Sequence, residues 1–226
     1  MIETEIDPIH GNDAAKTHRQ SDGLQRRPRS GNDWAIKHRA APCRTFSTAV
    51  RLHLKEVGSL PSDEAIHGWV DQVRDRIHFA AAQRDSSLRE FAATMIAIVS
   101  DGTETLIVQV GDGCAALKHE GEMEWLVPIW PDHGEYASTT SFITDERGAS
   151  LRILRDHAPV SAFAVMTDGL ERLALDFAAA KPFNGFFNGV WLPLLDSTVA
   201  GCDRPLSNSL RDFLNGGQVC ARIKVC

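Results

Sequence analysis

The sequence predicts an α+β fold, layered α/β/β/α, rather than a doubly wound parallel sheet. Three observations lead there. Two stretches of helical periodicity come first, at residues 46–57 and 62–85. A run of short apolar strands separated by turn residues follows. Helices and strands then mix toward the C-terminus without the regular alternation of a βαβ protein.

The 226 residues, 43% of them hydrophobic, suffice for one sizeable core and favour one domain. A formal net charge of -6 argues against a general nucleic-acid binder, because phosphate contacts need a basic surface. No apolar run approaches the roughly 20 residues that span a bilayer, and the acidic start Met-Ile-Glu-Thr-Glu-Ile-Asp lacks a secretory core. The five cysteines form no Cys-x-x-Cys pair and are odd in number, which suits reduced thiols and a cytoplasmic protein. Cys114 lies in an apolar stretch and reads as a small core residue. The nine histidines lack the i, i+4 spacing of a helical zinc site.

Residues 1–44 carry few apolar side chains in any period and read as a poorly ordered tail, Arg26-Arg-Pro-Arg included. From Phe46 the pattern is helical through Val50, Leu52, Leu54 and Val57, and it stops at Gly58 with Pro61 just beyond. Ser62-Asp-Glu opens a second helix whose stripe is Ile66, Trp69, Val70, Val73, Ile77 and His78. Strands are predicted at 92–99, 106–110 and 113–118, the first two joined by a turn at 100–103. With a further strand segment at 125–127, they read as an antiparallel meander. Shorter strands follow at 139–144 and 151–154, then a buried one at 162–166. Helices are expected at 170–180 and 207–214, a helix or compact aromatic-rich insertion at 181–195, and a last short strand at 219–226. The Phe residues of 181–195 read as core-capping.

Two of these strands run directly into Asp-Gly, at Val108-Gln-Val-Gly-Asp112-Gly113 and at Val165-Met-Thr-Asp168-Gly169. Asp-Gly is a common turn dipeptide and often means only a strand exit. At a strand end, however, a carboxylate sits fixed at the rim, and the Gly lets a backbone carbonyl turn to the same point. Carboxylate, carbonyl and water are the oxygens that hard divalent cations take.

Four stretches in order resemble the bacterial branch of the PP2C-type, metal-dependent protein phosphatases. They are Phe91-Ala-Ala-Thr94 before an apolar strand, Val108-Gln-Val-Gly-Asp112-Gly-Cys-Ala-Ala-Leu117, Gly134-Glu-Tyr-Ala-Ser-Thr-Thr-Ser-Phe-Ile-Thr144 and Val165-Met-Thr-Asp168-Gly-Leu-Glu-Arg-Leu-Ala174. The match runs from about Phe46 to about Arg222. The resemblance implies a four-layer α/β/β/α sandwich of two antiparallel sheets flanked by helices, with residues 45–226 as the phosphatase-like domain. It implies two Mg2+ or Mn2+ ions, with Asp168 a ligand, Asp112 at a further, weaker metal, and Gly169 supporting the turn beside Asp168. The implied reaction is hydrolysis of phosphoserine or phosphothreonine on protein substrates. Such a site needs no Ser or Cys nucleophile, in keeping with a chain that has no Gly-x-Ser-x-Gly or Cys-x5-Arg loop.

The pattern breaks at both ends. The family's early Asp-Gly belongs at residues 20–40, where Asp22-Gly23 lacks an apolar strand before it and Asp33 is followed by Trp34. The family's final Asp turn has no counterpart, since no carboxylate follows Asp212. Three accounts stay open: a catalytically silent phosphatase-like module that binds a protein partner, a reading frame altered near both ends, or ligands supplied by the tail. The abrupt loss of pattern favours truncation or frame alteration over gradual decay.

Overall fold

The computed structural model describes residues 31–131, 140–145 and 148–222. The tail at 1–30 with Asp22-Gly23 and the Arg26 cluster, most of the 134–144 loop and residues 223–226 lie outside the described residues.

Two helices come first. Helix α1 (Gly31–Val57) begins well before Phe46, so the expected boundary at residue 44 falls inside it. It ends at Gly58, whose φ of 75° only glycine adopts readily and whose N–H reaches the Leu54 carbonyl at 3.0 Å. Helix α2 (Asp63–Ala82) is capped by Ser62, whose hydroxyl accepts from the Ala65 N–H at 3.2 Å. Its buried stripe is Ile66, Val70, Val73, Ile77 and Ala81. His78, expected on that stripe, is exposed, one position round from Ile77.

Strands β1 (Met95–Ser100) and β2 (Thr105–Val110) form a hairpin, and β2 pairs on its other side with β4 (Leu151–Asp156), all antiparallel. The hairpin turn is organised by Asp101, whose Oδ1 accepts from the N–H groups of Thr103 and Glu104 at 2.9 and 2.8 Å. Strand β3 (Cys114–His119) does not continue this sheet as a meander. It crosses to a second sheet and pairs antiparallel with β5 (Val160–Met166), while Leu126 makes a single bridge to Leu117. The crossing is made at Gly111-Asp112-Gly113. Residues 140–144, expected as a strand, form an irregular segment and a turn instead, with the Phe142 N–H donating to Asp145 Oδ2 at 2.8 Å.

Alternation along β2 decides what each sheet face meets. Leu106, Val108 and Val110 pack with Phe46, Val50, Ile66, Val70 and Val73 of the two helices. Ile107, pointing the other way, packs with Ala115 and Leu117 of the second sheet. The far side of that sheet, Cys114, Ala116, Ala162 and Met166, packs with Trp125 and Phe187.

After β5 a single 3-10 turn (Asp168–Leu170) leads to α3 (Glu171–Ala174), which is much shorter than the helix expected at 170–180. Asp176 ends it, because its Oδ1 accepts from the Ala178 and Ala179 N–H groups, both at 3.0 Å, and turns the chain into a small hairpin of β6 (Leu175–Asp176) and β7 (Lys181–Pro182). Helix α4 (Asn184–Leu195) is pinned to Trp125 by Asn184 and Asn188, at 2.8 and 3.0 Å. Of its neighbouring Phe residues, Phe187 is buried and Phe183 exposed. Helix α5 (Arg204–Leu214) starts earlier than expected because Asp203 caps it, accepting from the Leu206 N–H at 3.0 Å. Where a last strand was expected there is helix α6 (Gly217–Arg222), begun by Val219 and Cys220 donating to the Gly216 carbonyl at 3.0 Å. No helix among the described residues is long and apolar enough to cross a membrane.

At one end of the sheets, His119 at the close of β3 bonds Asp156 at the close of β4 at 2.9 Å, tying the second sheet to the first. Burial pushes the Asp156 carboxyl up, but the Ala158 amide, His119 and the charge of His157 outweigh it and hold it below the usual carboxylate range. A depressed folded pKa contributes stability that is present above the unfolded value and lost as pH falls through the folded one. The stability advantage of the wild type over Asp156→Asn should therefore shrink as pH falls below about 4, as read from urea unfolding at a series of pH values.

Candidate active site

The opposite end of the sheets carries both strand-terminal carboxylates. The Cys114↔Met166 pairing fixes this arrangement, because Asp112 lies two residues before Cys114 and Asp168 two residues after Met166. The antiparallel register thus brings the two Asp-Gly turns to the same edge.

Gly111 stands at φ 100°, in the left-handed region, and an added Cβ would collide with the Thr94 side chain and lie 3.1 Å from the Ser141 carbonyl. A Cβ at Gly113 would lie 3.1 Å from the Met166 carbonyl and against Ile96. The turn can therefore sit this low between the sheets only as Gly-Asp-Gly. Gly111→Ala should destabilise by about 2 kcal/mol, the backbone strain plus the clash. Gly58→Ala makes the comparison, since Gly58 is also at positive φ but has open space around it. The excess loss in urea unfolding for Gly111→Ala isolates the packing part.

Among the described residues, three side chains hold this turn. The buried Gln109 donates through Nε2 to the Gly113 carbonyl at 2.6 Å and the Gly111 carbonyl at 3.3 Å. Arg152 donates to the same Gly111 carbonyl at 2.9 Å and to the Trp130 carbonyl at 2.7 Å. The Thr140 hydroxyl donates to Asp112 Oδ2 at 2.5 Å. The expectation that the glycine carbonyl turns to the rim beside Asp112 is corrected here, because Gly113 turns its carbonyl inward onto Gln109.

Asp168 is exposed, and its Oδ1 accepts from the Gly169 N–H at 2.9 Å. Below it Glu171 and Cys114 are buried. Burial first, and the charge of Glu171 second, push the Cys114 thiol up to about 12, so it stays protonated and serves packing rather than nucleophilic chemistry.

The oxygen donors at this edge fit a hard divalent cation in kind. In number, the described residues supply only part of a two-cation centre: among them no group of three or more His, Cys, Asp or Glu side chains could hold a metal ion. The side chain of Asp33 and all of Asp22-Gly23 lie outside what is described. Sequence reasoning passed over Arg152, and it quoted Gln109 and Thr140 only within motifs. A lone Gln in the apolar strand Thr105-Leu-Ile-Val-Gln-Val was the available signal, since a buried carboxamide needs partners.

Residues 22–215 match the model of the family described as Protein phosphatase 2C. The chain belongs to the protein phosphatase 2C family. The matched span contains both Asp-Gly turns and the residues that hold them, so the edge bearing Asp112 and Asp168 lies within the family's own domain. The chain is also similar to Serine/threonine-protein phosphatase 3 of Escherichia coli (strain K12), at 35% identity over 123 residues that make up 52% of this chain and 48% of that protein. It thus spans about half the length of that curated relative. No solved structure matches it. The mixed helices and antiparallel sheets described above fit the α+β character of a phosphatase 2C fold.

Proposed function

We propose that this chain hydrolyses phosphoserine or phosphothreonine on protein substrates with Mg2+ or Mn2+, in the manner of the protein phosphatase 2C family. The observation that carries the reading is the convergence of Asp112 and Asp168 at one edge of the paired sheets in a chain of that family. The packing order of α1 and α2, the β1-β2-β4 sheet, the β3-β5 sheet and α4 supports the four-layer α/β/β/α sandwich as its architecture. The free cysteines Cys43, Cys114, Cys202 and Cys220 suit a reducing compartment, and we place the protein in the cytoplasm on that ground.

In this reading Asp168 and Asp112 hold the cations, with Gly169 fixing the Asp168 turn. Divalent cations, when bound, supply Lewis acidity toward the phosphoryl oxygens. The protein's own part is orientation. Gly169 N–H occupies one oxygen of Asp168, and Thr140 occupies one oxygen of Asp112, and among the described residues no bond takes the second oxygen of either carboxylate. Phosphate release from a phosphothreonine peptide and from a small aryl phosphate, with and without millimolar Mn2+, tests the reading. Release that Mn2+ stimulates and a chelator removes upholds it.

A second reading, the catalytically silent protein-binding module, is favoured by one observation: the described residues assemble no three-ligand metal group. It requires no Mn2+-stimulated release and an unfolding temperature that millimolar Mn2+ leaves unchanged, because a ligand bound only by the native state would raise it.

A further inference from the structure

We infer that Gln109 and Arg152 are positioning residues that clamp the 111–113 turn and so fix the direction in which Asp112 presents its carboxylate; the inference rests on the proposed role of Asp112 in binding a divalent cation.

The two side chains start from neighbouring strands at the same level, since Gln109 of β2 and Arg152 of β4 are register partners. Gln109 shares its strand face with Ile107, the face that meets the second sheet. It is 0% exposed, so its carboxamide has no water to fall back on. Its N–H groups go to the carbonyls on either side of Asp112 rather than across the ladder. Arg152 adds a second donor to the Gly111 carbonyl and links it to Trp130. With the carbonyls of residues 111 and 113 both held, the planar peptide units 111–112 and 113–114 are anchored, and these bracket the single unit between Asp112 and Gly113 and restrict its rotation. The Thr140 hydroxyl then fixes the carboxylate itself.

Packing alone does not call for this arrangement. Among the described residues the buried Oε1 of Gln109 meets no hydrogen-bond donor, an unfavourable state that Leu or Val at 109 would avoid. A polar group kept at the end of an otherwise apolar strand, aimed at one turn, is how a site's supporting shell is built. The clamp also turns both flanking carbonyls toward protein donors, so the oxygens this turn can offer a cation are those of Asp112 itself.

The test uses the full chain with Gln109→Leu and Arg152→Met. Asp112→Asn is the reference, and Ile107→Val is a purely structural control on the same strand face. Two quantities are read: amide hydrogen exchange along residues 95–119, and the Mn2+ dissociation constant by calorimetry. The clamp predicts that turn amides at 111–114 exchange at least about tenfold faster in both variants while the β1–β2 ladder keeps its protection. It also predicts a Mn2+ dissociation constant raised about 10- to 100-fold, with no further rise when Gln109→Leu is added to Asp112→Asn. Ile107→Val should change neither. Unchanged turn exchange overturns the inference, as does a uniform loss of protection along all strands. If the wild type binds no Mn2+, the cation reading falls, and the exchange result alone decides the clamp.

Discussion

Asp168→Ala should lower Mn2+-stimulated phosphate release by at least about 100-fold, because a lost cation ligand removes several kcal/mol of charge stabilisation and each 1.36 kcal/mol is tenfold in rate. The same substitution should leave the unfolding midpoint almost unmoved. Asp168 is exposed, and its described bond is to the N–H of the next residue, so the fold loses little, within about 0.5 kcal/mol. That contrast is the informative part. A carboxylate that matters to turnover and hardly at all to stability is a site residue, whereas one whose removal unfolds the chain is a structural cap. Phosphate release measured beside urea unfolding separates the two, and equal activity in the variant would remove Asp168 from the site altogether.

The largest loss of stability is expected from Phe187→Ala, at about 3–5 kcal/mol. Phe187 is 2% exposed and stacks on Trp125 with centroids 5.0 Å apart and planes 23° from parallel. It also meets Phe186 edge-on at 5.4 Å. Truncation leaves a cavity against Cys114, Ala116 and Met166 and removes the aromatic pair, itself about 0.5–1.5 kcal/mol. For a chain of this size that corresponds to a fall in unfolding temperature of about 10 °C. Phe213→Ala is the comparison, since Phe213 is 51% exposed on α5 and its removal should change little. A Phe187→Ala loss below about 1 kcal/mol would mean that α4 does not cover the second sheet.

The sequence and the structure agree best where one side chain decides the local outcome. Ser62 and Gly58 bracket the helix boundaries they were read to bracket. The strands at 105–110 and 160–166 stand where apolar runs met Asp-Gly. Agreement fails where the deciding partner is distant. Nothing in residues 113–118 tells whether the strand stays beside β2 or crosses to β5, because that choice depends on Gly113 fitting against the Met166 carbonyl, more than 50 residues away. The helix expected at 170–180 had the right periodicity, but Asp176 captured two amides and turned the chain. At the site, Asp112 and Asp168 were legible from strand ends, whereas Gln109 and Arg152 acquire meaning only through pairing across β2 and β4.

The route of the chain between the sheets has a mechanical corollary. The three residues that carry it from one sheet to the other, Gly111, Asp112 and Gly113, include the carboxylate itself, so the coordinate describing sliding of the sheets and the coordinate describing the carboxylate are not independent. Work done on one is done on the other. A ligand gripping Asp112 and Asp168 together would act as a brace across the shear direction, and by reciprocity a substitution that lets the sheets slip would weaken that grip without touching either carboxylate.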